Sequence, residues 1–168
     1  MTELDQIWSQ MLDKAAAKAR NSGNGEVTAY LTLKAANDTI RTVGVDWLMN
    51  SVIEIAGESN RRFSSLAIER EEPYRFASGS SNLVGVVIRI RHGVRCLNVE
   101  AGWTRTPSDG VMRGGALAFA RLSHFGMPKA GAELMLISDA SRSFWRVAET
   151  SANVDSNELR RHFEILTT

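Results

Sequence analysis

The feature that most constrains this chain is a pair of apolar-rich stretches, residues 83–91 and 94–103, flanking the dipeptide His92-Gly93. A two-residue loop ending in glycine joins two antiparallel strands through a tight turn. With His92-Gly93 as that turn, Arg91 faces Val94, Ile90 faces Arg95 and Ile88 faces Leu97. Val86 then faces Val99, and Val84 faces Ala101. Paired residues share a face, and successive pairs alternate between faces. One face therefore carries Val84, Val86, Ile88, Leu97, Val99 and Ala101 and packs on a core. The other carries Arg89, Arg91, Cys96, Asn98 and Glu100, with Val87 and Val94, and is polar and mostly open. Arg95 falls on the core side.

More strands surround this hairpin. Residues 65–70 read as a strand or a last helical turn, and Tyr74-Arg75-Phe76 as extended chain. Further strands are expected at 116–123, 132–137 and 144–148. Their short connections make the neighbours antiparallel, because parallel strands need long crossovers. In 116–123 the side bearing Ala116, Ala118 and Ala120 admits close approach by a helix or by another subunit, and a homo-oligomer through the sheet is expected there. The stretch 110–115 has glycines but no Gly-Lys-Ser/Thr ending and precedes a strand, so it is a turn rather than a phosphate loop.

Helical periodicity marks both ends. Leu4, Ile7, Trp8, Met11, Leu12, Ala15 and Ala19 fall on one stripe of a helix over 4–20, with Thr2 as its cap. The run 21–25, with two glycines and two asparagines, stops it. Helical patterns follow at 26–42 and 45–60, with Gly44 either separating two helices or lying inside one. Asp155 opens a C-terminal helix over 155–166 that carries Leu159, Phe163 and Leu166. The expected fold is one α+β domain over 1–168, helical in 1–60 and β-rich in 61–150. The N-terminal helices and the C-terminal helix pack on one face of an antiparallel meander of five to seven strands.

Composition narrows the functional classes. Cys96 is the one cysteine, which excludes an internal disulfide and a cysteine-based zinc site. No apolar run approaches the about 20 residues of a membrane helix, and the first residues are acidic where a signal peptide is basic. A cytoplasmic protein without a membrane partner is expected. The three histidines share no metal-ligand spacing, so neither metal nor cofactor is expected. His92 reads as a turn residue and His162 as lying on the exposed side of its helix. His124 closes a strand, beside Ser123 but pointing to the opposite face.

The net charge of +1 hides a basic middle third: residues 61–121 hold ten arginines, no lysine and five acids. The guanidinium fork pairs bidentately with carboxylate or phosphate. The arginine face is either a solvated sheet surface with local acid pairs or an anion-binding surface formed with Arg75, Arg95, Arg105 or Arg113. Nucleic acid, a phosphorylated ligand or an acidic protein is the partner in the second case, with Trp103 and Tyr74 available for stacking. The function expected is a non-enzymatic binding module using this surface. The alternative is a small-molecule site or small enzyme with a pocket between helices and sheet, near His124 and Trp103. The candidate residues are thus Arg89, Arg91, Arg105, Arg113, Trp103 and His124.

Overall fold

The central hairpin forms with its turn one residue later than expected. A computed structural model describes residues 3–21, 23, 25–139 and 141–168. In it β2 (Ser81–His92) pairs with β3 (Arg95–Trp103) around the loop Gly93-Val94. His92 faces Arg95, and Ile88 faces Val99 rather than Leu97. The reason lies in the first loop position, which needs a positive φ in both favoured hairpin turns. Gly93 supplies it at 61°. The expected turn would have forced His92 into that region, which a residue with a Cβ adopts at a cost. Each residue's partner shifts by two, so every side chain keeps its face.

The other strands extend this pair into one antiparallel sheet. They are β1 (Ala67–Ser78), β4 (Ala118–His124), β5 (Ala132–Ser138) and β6 (Ser143–Val147), ordered β1-β2-β3-β4-β5-β6. The ambiguous stretch 65–70 enters β1. That edge strand is charged and exposed, and its register shifts between Glu71 and Tyr74, both of which discourage further strand addition.

Three helices complete the fold: α1 (Glu3–Asn21), α2 (Gly25–Arg62) and α3 (Ser156–Thr167). Thr2 lies outside the described residues, as does part of the stop at 21–25. The two patterns at 26–42 and 45–60 form one helix. Gly44 lies inside it because the helix touches the sheet there: a Cβ on Gly44 would come within 2.6 Å of Leu136 Cδ2. Trp145 Nε1 donates to Gly44 O at 2.9 Å. These contacts offset the roughly 1 kcal/mol that glycine costs inside a helix. At the other end Asp155 accepts from Glu158 N at 2.9 Å and caps α3.

Core packing follows the expected inner face. Leu48, Met49 and Val52 of α2 and Leu159 and Phe163 of α3 bury against Val86, Ile88, Val99 and Ala101. Ala118 and Ala120 belong to the same buried cluster, so the chain's own core closes the alanine side. Arg95, on this side as expected, donates to Ile165 O of α3 at 2.9 Å. The outer face is less open than expected at one end. Leu83 and Val87 are buried, and Leu83 borders Val111, Met112 and Phe119 beneath the β3–β4 connection.

Candidate functional site

The outer sheet face alternates in charge. Strand register places Glu69 opposite Arg89 and Glu71 opposite Val87. Diagonal reach across the pleat then brings Arg89 Nη1 to Glu71 Oε2 at 3.0 Å and Arg91 Nη2 to Glu69 Oε2 at 3.8 Å. Arg89 also lies over the Tyr74 ring, at 5.6 Å from its centroid. Glu100 accepts from Tyr74 Oη at 3.0 Å and from Arg121 Nη1 at 3.2 Å. Burial, reinforced by the Glu100 carboxylate, holds the Tyr74 phenol above its ordinary value. Arg113 reaches only to 3.9 Å from Glu133 and is largely exposed.

Trp103 and His124 stand at opposite ends of the β3–β4 ladder. His124 pairs with Leu97, six residues from Trp103, which at strand rise is about 20 Å. The cleft beside Trp103 does not include His124. His124 Nε2 instead lies 2.9 Å from His162 Nδ1, with the rings stacked at a 15° angle. His162 is therefore buried, not on the exposed side of α3, because α3 turns that face onto the end of β4. Burial holds both imidazoles below their ordinary value, and the proximity of His124 adds to this at His162. His124 Nδ1 is buried without a hydrogen-bond partner among the described residues.

A cleft of about 280 Å³ opens at the Trp103 end, between the helices and the chain leaving β3. Trp8, Tyr30, Lys34, Asp38 and Arg41 line it from the helices, and Trp103 and Arg105 from the sheet side. The Arg105 guanidinium stacks on Trp103 at 3.8 Å. It donates to Asp5 Oδ1 at 2.7 Å and to Val84 O at 3.0 Å. Its Nε is buried and lacks a partner among the described residues. The loop that carries it is set by Asp109, which accepts from Arg105 N and Thr106 N at 3.0 Å each. These two bonds hold the Asp109 carboxyl below its ordinary value.

Asp38 forms the other fixed point. It is buried, and accepts from Trp8 Nε1 at 3.0 Å and Arg41 Nη1 at 2.6 Å. Arg41 Nε reaches across to Leu117 O at 2.8 Å. Lys34 lies over the Trp8 ring, 4.8 Å from its centroid, and has no carboxylate partner among the described residues. Three cations thus meet two carboxylates around three aromatic rings. Trp103 and Arg105 are among the candidates read from the sequence. That reading missed Trp8, Lys34 and Asp38, whose only local signal was the Asp38–Arg41 helical spacing.

The cleft holds no histidine or cysteine, and among the described residues no group of three His, Cys, Asp or Glu could hold a metal ion. Its lining offers aromatic faces and charged groups. No helix is long and apolar enough to cross a membrane. No known protein family, curated protein or solved structure matches the chain.

Proposed function

We propose that the protein is a non-catalytic binding module that holds a small anionic ligand with a flat ring in the cleft between Trp8 and Trp103. One observation carries this reading: aromatic faces and cations converge there, and one cation, Lys34, has no carboxylate partner among the described residues. Ligand sites commonly combine apolar walls with a few placed polar groups. The anionic partner anticipated from the arginines is retained, but its seat moves from the sheet to Arg105 and Lys34. On the sheet, Arg89 and Arg91 each already sit beside a glutamate. The single cysteine fits a cytoplasmic setting.

Tryptophan fluorescence, titrated with aromatic carboxylates, nucleotides and oligonucleotides at low and moderate salt, tests the reading. A saturable change with a flat anion is expected, weakened about tenfold by Lys34→Ala. The Arg89→Ala/Arg91→Ala double variant should bind as the parent does. No saturable response to any flat anion overturns the proposal. Oligonucleotide binding that falls steeply with salt and disappears in the double variant would place the site on the sheet instead.

A further inference from the structure

The α1–α2 hairpin has too little core of its own. Within α2, full burial begins at Asp38 and ends at Ala56, and in residues 25–37 side chains such as Leu31 and Ala35 are at most half-buried. Leu12 and Ala16 are the buried apolar residues of α1 among those described. Two packed helices with so small a core are marginal in water. This arm also concentrates exposed apolar surface: Leu4 (47%), Ile7 (49%), Met11 (56%), Tyr30 (63%) and Leu33 (61%).

Helical geometry gathers these residues on one side. Leu12 and Asp38 mark the inward faces of α1 and α2. At about 100° per residue, Leu4, Ile7 and Met11 lie roughly a quarter turn or more from Leu12. Tyr30 and Leu33 are displaced from Asp38 in the same rotational sense. In an antiparallel pair of helices, equal rotations lead to the same side. The result is one apolar face spanning both helices. It includes the outer rim of the cleft, where Tyr30 and Leu33 lie.

We infer that this face is an interface with a second copy of the chain, the two arms closing as a four-helix bundle with their α1 helices antiparallel. Charge selects this occupant and this orientation. The first turn of α1 is acidic and its last turn basic. Glu3 and Lys18 carry no ion pair among the described residues. A two-fold axis near Met11 brings Glu3 of each copy to Lys18 of the other. Isologous contact of this kind closes on itself. Four-helix bundles supply the core that a lone hairpin lacks. The inference stands independently of any ligand in the cleft.

Light scattering at micromolar concentration tests it on the intact chain. Twice the chain mass of 18.5 kDa is expected. Ile7→Lys and Met11→Lys should each give the single-chain mass while residues 45–56 of α2 keep their slow amide exchange, since both side chains are about half exposed and lie outside the core cluster. Glu3→Lys and Lys18→Glu should each weaken association about fivefold, and the double variant should restore it. A single-chain mass for the parent overturns the inference. So does a dimer that survives both lysine substitutions, or a charge-reversed pair that fails to restore it.

Discussion

The buried histidine pair makes an acid-sensitive point in an otherwise apolar seam. As neutral rings, His124 and His162 share one hydrogen bond with one proton between them, and His124 Nδ1 stays without a partner among the described residues. A second proton puts charge between β4 and α3, where burial opposes it. Glu158 and Arg161 of α3 act electrostatically on His162 in opposite directions. Both folded-state values lie below the unfolded one, so the unfolded chain takes up protons first as pH falls. The stabilisation is complete above about pH 6.5 and is lost progressively below it. Melting temperature should fall on acidification below that point, and fall less steeply in His162→Gln. Parallel profiles for parent and variant would show that the pair does not titrate between the states. Gly85 makes a second residue-scale case, because a Cβ there would come within 1.8 Å of Ala101 O. Backbone cannot yield as a side-chain tip can. Gly85→Ala should therefore cost about 3 kcal/mol, read by denaturant unfolding.

Among the elements, the β2–β3 hairpin shows which kind of information survives an error in pairing. Ile88 is fully buried and Arg89, the next residue, lies on the outer face beside Glu71. Ile88→Asp should cost about 4 kcal/mol, since it buries a charge with no partner. Arg89→Ala should cost less than about 1 kcal/mol, as partly exposed ion pairs contribute little. Similar melting temperatures for the two variants would reject the assignment of faces. Residue alternation was enough to derive those faces, and a two-residue shift left them intact. The turn was misread because His92 and Gly93 together resemble a loop, while φ at the first loop position decides the matter. The α2 helix was ambiguous for a different reason. Gly44 reads locally as a break, and only the closeness of Leu136 explains its place inside the helix.

At the scale of the whole molecule, the chain divides into a well-buried body and an arm with a sparse core. Amides of α2 within 45–56 should exchange slowly at any protein concentration, since they lie over the sheet. Those of α1 and of α2 within 25–37 should gain protection as concentration rises, because association buries their apolar face. Hydrogen exchange at two concentrations measures this, and arm protection independent of concentration counts against the bundle. The sequence by itself determined the α+β class, the antiparallel order and the buried face of the central hairpin. Those features rest on periodicity and short connections, which are local and repeat along the chain. It also singled out Trp103, Arg105 and His124. Tertiary structure decided their company: Trp103 and Arg105 with Trp8, Lys34 and Asp38, and His124 with His162. Those partners lie 38 to about 100 residues apart in the chain, and no local pattern encodes which distant side chain a folded surface will meet.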